Sequence, residues 1–191
     1  MDMKKAHLIS STVGAILLAG SFIFVGAGVV QAENNYSVAK AQNDLPAAQT
    51  YRDECAACHM AYAPSLLPAR SWTAILNGLE DHFGEYAVLD DATVTELNGY
   101  LTANAGDVRR GKFMRGLAKD VTPLRITDLP AYIRKHDEIP DYKITGNPEV
   151  GSLSQCQACH GSRAEQGFFD EDNVRIPGFG REGDDDDDDD D

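Results

Sequence analysis

Two copies of the pattern Cys-x-x-Cys-His constrain this sequence more than any other feature. They are Cys55-Ala56-Ala57-Cys58-His59 and Cys156-Gln157-Ala158-Cys159-His160, and together they contain all four cysteines of the chain. A disulfide framework or a tetrahedral zinc site could also use such cysteines, but neither requires a histidine directly after each pair. The separation of nearly a hundred residues is far from zinc-ribbon spacing. A thioredoxin-like pair would need a βαβ pattern, which the sequence does not show.

Covalent haem attachment accounts for every residue of both motifs. Two thiols three positions apart can add to the two vinyl groups of one haem, and the next residue, a histidine, then binds the iron as proximal ligand. The sequence therefore predicts two covalently bound haem c groups with their iron. The predicted attachment and proximal residues are Cys55, Cys58 and His59 for the first haem and Cys156, Cys159 and His160 for the second.

Two further histidines are candidates for the other axial position at each iron. The chain has five histidines, of which two belong to the motifs and His7 lies in the N-terminal segment discussed below. This count leaves His82 and His136, one for each iron. We expect His82 to serve the haem of the first motif and His136 that of the second, although an exchange of these ligands stays open. The alternative that either residue is a core histidine, hydrogen-bonded only to the backbone, also stays open.

Helical periodicity predicts that both of these histidines lie on buried faces. A helix capped by Ser71 would place His82 on the apolar face formed by Trp72, Ile75, Leu76, Leu79 and Phe83. A helix capped by Thr127, with Pro130 in its first turn, would place His136 beside Leu129, Tyr132 and Ile133. An imidazole without a partner on such a face would be costly, and iron provides one.

Methionine is the competing axial ligand, and the choice decides the expected function. Met60 follows His59 and cannot readily reach the opposite face of the same haem, whereas Met114 in the basic stretch 109–115 could serve. A His/His pair lacks the thioether that raises a haem potential, which predicts low potential at both haems. With both irons six-coordinate, we expect a single-electron carrier and not an enzyme. The alternative is a dihaem redox enzyme, or a gas-binding sensor with one labile distal histidine.

The N-terminal segment predicts export. Lys4 and Lys5 precede an uncharged apolar run over 13–30, and Val30-Gln31-Ala32 then has the layout of a signal-peptidase site. Residues 1–32 are therefore expected to be a cleavable signal peptide that directs the protein to the periplasm. The alternative is that the apolar run stays in place as a membrane anchor, for which it is just long enough.

The charge of the chain is acidic and uneven. Eight consecutive aspartates at 184–191 contribute more than half of the formal net charge of −14. Because like charges repel and no apolar residue is present there, we expect a disordered tail. Acidic composition argues against nucleic acid as a partner.

The middle of the chain predicts a mainly α fold with two small cytochrome c-type haem domains. Residues 33–105 read as an N-terminal domain of the class I cytochrome type, with helices from about Ala47 into the first motif and over about 91–103. Residues 106–183 have weaker periodicity, which predicts a C-terminal haem domain rich in irregular structure.

Several stretches of the sequence resemble the dihaem cytochrome c family. They are residues 51–63, 67–72, 81–84, 134–140, 156–160 and 174–178. The resemblance covers most of the chain after residue 32, and Leu67-Pro68-Ala69-Arg70-Ser71-Trp72 is fairly specific. It implies a monomer of two domains with bis-His haems that carries electrons outside the cytoplasm. It also implies redox partners, namely a monohaem oxygen-binding cytochrome c and a membrane cytochrome b, but says nothing about the aspartate tail.

Overall fold

The computed structural model describes residues 45–169 and 173–179, and this part of the chain is helical. Its α-helices are α1 (Pro46–Cys55), α2 (Ala69–Leu76), α3 (Asp91–Ala103), α4 (Pro130–His136), α5 (Asp141–Ile144) and α6 (Cys156–His160). Short 3₁₀ helices lie at Pro64–Leu66, Leu79–Asp81, Lys112–Met114, Ile126–Asp128 and Gly161–Gln166. The described residues contain no β-strand, which confirms the mainly α fold.

The two ends of the chain lie outside the described residues. The predicted signal peptide at 1–32 and the aspartate tail at 184–191 therefore stay predictions. Within 45–169 and 173–179, no helix combines the length and the apolar character needed to cross a membrane.

Helices α1, α2 and α3 form the centre of the core. Tyr51 of α1 meets Trp72 of α2 edge-on, with ring centres 6.3 Å apart, and lies 6.0 Å from the ring of Tyr100 of α3. Leu97 and Leu101 of α3 are fully buried against them. Burial of large apolar side chains is the main stabilising contribution here, at roughly 1.5–3 kcal/mol for each one. Helices α1 and α3 match the helices predicted from the sequence.

The same hydrophobic cluster continues into the second half of the chain. Leu129 and Tyr132 are buried in it, although the sequence assigned them to a separate C-terminal domain. At the predicted boundary, the Gly106 N–H donates to the Leu67 carbonyl over 2.8 Å. The two halves therefore share apolar packing, and the boundary between residues 105 and 106 itself stays a prediction.

The two helices expected to carry the distal histidines differ from their predictions. Helix α2 has Pro68 as its N-cap, buries Ser71 inside the helix and ends at Leu76, so it does not reach His82. The next two residues, Asn77 and Gly78, have low helix propensity, which favours termination there.

Helix α4 begins at Pro130, so the predicted cap at Thr127 is also wrong. Proline suits the first helical position because it has no N–H to leave unsatisfied. Of the apolar face predicted beside His136, Leu129 and Tyr132 are buried, but Ile133 is 50% exposed.

Candidate functional site

The first site is formed by the first motif and His82. The ring centres of His59 and His82 lie 6.1 Å apart, with 22° between the ring planes. Nδ1 of His59 lies 2.7 Å from the Met60 carbonyl oxygen. Since a carbonyl only accepts hydrogen bonds, Nδ1 carries the proton, and Nε2 is the nitrogen that can bind a metal.

His82 reaches this site from a tight turn, and its predicted place on a helical face is wrong. The His82 N–H donates to the Glu85 carbonyl over 2.8 Å, and the Glu85 N–H donates back over 3.2 Å. Between them, Phe83 and Gly84 both have positive φ, 58° and 100°, as in a type I′ hairpin turn. The Arg125 guanidinium lies 4.1 Å above the Phe83 ring, a cation–π contact that stabilises this conformation.

The second site is formed by the second motif and His136. The ring centres of His136 and His160 lie 6.2 Å apart, with 69° between the planes. Nδ1 of His136 lies 2.9 Å from the Tyr132 carbonyl oxygen, one helical turn back in α4, which again leaves Nε2 for a metal. Nδ1 of His160 is buried and has no hydrogen-bond partner among the described residues.

The spacing of both pairs fits two axial ligands of one iron. A metal–imidazole bond of roughly 2 Å on each side, plus about 1 Å from each nitrogen to its ring centre, separates the two ring centres by about 6 Å.

Burial lowers the pKa of His82 and of His160, with further lowering from His59 and His136, respectively. Neutral imidazole is the form that binds metal, so the local environment favours ligation.

The cysteines of both motifs are chemically suited to haem attachment. None of the four forms a disulfide. Burial raises the thiol pKa of Cys55 to about 11, with a smaller contribution from Glu54, and also raises that of Cys156 to about 11. With no disulfide among them, all four cysteines can form thioethers.

Two tyrosines that the sequence analysis did not assign to the sites stack on the histidines. The Tyr62 ring lies 5.0 Å from that of His59, at 26°, and the Tyr132 ring lies 3.9 Å from that of His136, at 11°. The sequence analysis placed Tyr132 and His136 on one helical face, and their spacing of four residues accounts for the contact. Tyr62 lies in a loop, where the sequence gives no comparable signal.

The core fixes the loop that follows the first motif. The Tyr51 hydroxyl donates to the Tyr62 carbonyl over 2.8 Å, and Trp72 Nε1 donates to the Pro64 carbonyl over 2.8 Å. Buried aromatic side chains of α1 and α2 thus position the backbone beside His59.

Neither methionine that was considered as a ligand stands out in the structure. Met60 is buried, and its carbonyl accepts the His59 hydrogen bond. Met114 packs against Gly106. Each motif histidine already faces another imidazole, so the geometry favours histidine over methionine at both sites.

A cleft of about 480 Å³ opens beside His82. Apart from the residues next to His82 in sequence, it is lined by Ala74, Ile75, Gly78, Leu124 and Arg125. This volume lies within the range of small-ligand sites, roughly 300–1,000 Å³. The cleft therefore lies next to the candidate distal ligand of the first site.

Comparison with known proteins places the chain in a family. A family model described as dihaem cytochrome c matches residues 51–169. A solved dihaem cytochrome c from Shewanella baltica OS155 is 45% identical, with 72% of this chain and 98% of that chain covered and a TM-score of 0.61. A dihaem cytochrome c from Rhodobacter sphaeroides is 47% identical, with 63% and 95% covered and a TM-score of 0.57. No curated protein matched.

Proposed function

Because this chain belongs to the dihaem cytochrome c family and so carries two covalent haem c groups in electron transport, we propose that it is a low-potential single-electron carrier with two histidine ligands at each iron. The proposed ligand pairs are His59 with His82 and His136 with His160. The observation that carries this proposal is the separation of 6.1 Å and 6.2 Å between the ring centres of the two pairs.

The residues around the proposed ligands suit a carrier. The backbone bonds of His59 and His136 fix the tautomer and make each imidazole a better donor to iron. Without a thioether ligand, the ferric state is favoured and the potential is low. With two histidines holding each iron, no iron position would be open to a substrate, and the haem would supply single-electron transfer with the same residues bound in both oxidation states.

We further propose that the protein works outside the cytoplasm as a monomer. The location rests on the basic start, apolar run and Val30-Gln31-Ala32 site of the sequence. The monomeric state is what the resemblance to the family implies. Mass spectrometry of the purified holoprotein should give an N-terminus at Glu33. An intact Met1 terminus in the membrane fraction would instead favour an anchor. The proposed partners are a monohaem oxygen-binding cytochrome c and a membrane cytochrome b.

The ligand proposal is tested with the oxidised and reduced holoprotein. We expect no methionine–iron charge-transfer band in the oxidised optical spectrum, and no rapid binding of carbon monoxide after reduction. A methionine band would contradict bis-His ligation. Rapid carbon monoxide binding would contradict a pure electron carrier.

Electron paramagnetic resonance tests the same ligands through their ring planes. Two imidazole rings that are nearly parallel, as in the pair at 22°, donate mainly to one of the two iron d orbitals of π symmetry. Rings at 69° donate almost equally to both of these orbitals. The first haem should therefore give a rhombic spectrum with three resolved features, and the second a single feature at much lower field. Two identical rhombic spectra would contradict the proposed pairing of His136 and His160 with their ring planes at 69°.

A sensor with a labile distal ligand is the second candidate function. It is favoured by the position of His82 in a turn and not in a helix. Rapid carbon monoxide binding at the first haem alone, at low carbon monoxide pressure, would support it.

A further inference from the structure

Tyr62 connects the first site to the peptide that leads into the second motif. Its ring stacks on His59, while its hydroxyl donates to the Ser154 carbonyl over 2.9 Å. Ser154 lies two residues before Cys156, the first attachment point of the second haem. One side chain therefore contacts a ligand of one site and holds the backbone of the other.

Tyr132 makes the matching connection from the second site. Its ring stacks on His136, and its hydroxyl donates to the Leu153 carbonyl over 2.9 Å. Two consecutive carbonyls, those of Leu153 and Ser154, are thus held by two phenols. Each phenol belongs to a ring that stacks on a proposed iron ligand, one from each site.

Haem attachment increases the importance of the Tyr62 hydroxyl. The Cys156 thiol also donates to the Ser154 carbonyl, with Sγ 3.6 Å from the oxygen. When this thiol adds to a vinyl group, its hydrogen goes to the vinyl carbon, and the resulting thioether sulfur can no longer donate. The Tyr62 hydroxyl then remains as a side-chain donor to that carbonyl.

Tyr62 is itself fixed by the core. The hydroxyl of the buried Tyr51 donates to its carbonyl. One residue further on, the Ala63 side chain packs against Gly167, which lies beyond the second motif. The loop is therefore held from both sides and can transmit a displacement instead of absorbing it.

We propose that Tyr62 is a positioning residue that couples the two haem sites through the Ser154–Cys156 peptide. This inference rests on the proposed bis-His function. Because the His59 ring and the Cys156 attachment share one rigid contact, they cannot shift independently. A change at residue 62, which lies in sequence beside the first motif, therefore alters the second haem.

The test is Tyr62→Phe in the full-length holoprotein, which keeps the stacking ring and removes only the hydroxyl. We expect the low-field resonance signal and the midpoint potential of the second haem to shift, while the rhombic signal of the first haem stays in place. Haem content and helical circular dichroism should equal those of the wild type. The signal assignment is checked with His136→Ala, which should remove the low-field signal.

Three further variants separate the contacts. Tyr62→Leu also removes the stacking ring, so the signals of both haems should shift. Tyr132→Phe releases the neighbouring carbonyl and should shift the second haem as well. Tyr86→Phe is the matched control, because this tyrosine is 79% exposed, and neither signal should move.

The inference is overturned if Tyr62→Phe leaves the second haem unchanged, or if it shifts the second haem no more than Tyr86→Phe does. That result would leave the proposed function standing. If instead the wild type shows methionine ligation or an open iron, the proposed function fails whatever the Tyr62 variants show.

Discussion

At the scale of single residues, the two proposed distal ligands are held in different ways. His136 ends a helix, and its ring is fixed by a hydrogen bond one turn back and by the stacked ring of Tyr132. His82 lies in a hairpin turn whose neighbour Phe83 adopts a positive φ, which costs a non-glycine residue roughly 1 kcal/mol or more. His82 should therefore be the more easily displaced ligand.

Replacing each distal histidine in turn tests this difference. His82→Ala and His136→Ala should each open one iron, so that each reduced variant binds one carbon monoxide per molecule. In the wild type at high carbon monoxide pressure, binding should begin at the first haem because its distal ligand is less firmly held. Optical titration measures the stoichiometry and the order. A variant that binds no carbon monoxide would show that the replaced histidine is not an iron ligand.

At the scale of elements, the turn from His82 to Glu85 needs an unusual backbone conformation beside the first site. Gly84 has a φ of 100°, a conformation that L residues rarely adopt, and a Cβ added there would meet nothing within 4 Å. The cost of a side chain at this position is therefore conformational and not steric.

Gly84→Ala should lower the free energy of unfolding by about 1–2 kcal/mol and increase carbon monoxide access to the first haem. Gly99→Ala is the matched control, since this glycine lies within α3 with open space at its Cβ. The same change there should stabilise the helix by about 0.5–1 kcal/mol. Denaturant titrations give the free energy of unfolding of both variants, and haem spectra give their carbon monoxide binding. Equal effects of the substitution at Gly84 and at Gly99 would contradict a conformational cause.

The start of α3 gives the fold a pH-dependent contact. The Asp90 carboxylate accepts hydrogen bonds from the Thr93 hydroxyl and from the N–H groups of Thr93 and Ala92. These bonds, that of the Thr93 hydroxyl first, lower the pKa of Asp90 below its usual value of 3.8. A lowered folded-state pKa means that the stabilisation is present above the unfolded-state value and is lost as the pH falls through the folded-state value.

Asp90→Asn should remove this part of the acid dependence. Asparagine can still cap the helix but does not titrate in this range. The variant should unfold at nearly the wild-type denaturant concentration at neutral pH. Below about pH 4 its stability should fall less steeply than that of the wild type. Parallel acid-unfolding curves for the two proteins would contradict the role of the Asp90 carboxylate.

At the scale of the whole molecule, the charge is distributed very unevenly along the chain. The eight aspartates at 184–191 follow a body that is only mildly acidic. A concentrated negative charge attracts a basic partner at long range, and salt screens this attraction over roughly 10 Å at 0.1 M ionic strength.

Deleting residues 184–191 should slow electron transfer to a basic partner at low salt and flatten the dependence of the rate on ionic strength. Stopped-flow measurements with a basic cytochrome c over a range of salt concentrations provide the comparison. The matched control replaces the eight aspartates with asparagines, which keeps the length and removes the charge. A salt dependence that is unchanged after deletion would leave the tail without a steering role.

The hydrophobic core also has a whole-molecule consequence. One cluster contains Tyr51 and Trp72 from the first half together with Leu129 and Tyr132 from the second. Shared apolar packing keeps the two sites in a defined relation, as the proposed coupling through Tyr62 requires.

The sequence by itself determined the chemistry of attachment and much of the fold class. The spacing within each Cys-x-x-Cys-His motif is local, and so is the periodicity of helices α1 and α3, so both could be read without knowing the rest of the chain. The histidine count likewise left His82 and His136 as the remaining candidates for the distal positions.

Only the tertiary structure decided how those histidines are presented. Asn77 and Gly78 ended the helix expected to carry His82, and the turn at Phe83 and Gly84 took its place. The contact between Tyr62 and Ser154 joins residues 92 positions apart, and no local pattern encodes such a distance. Local spacing determines which groups can bind a haem, whereas long-range packing determines how the two sites are oriented and linked.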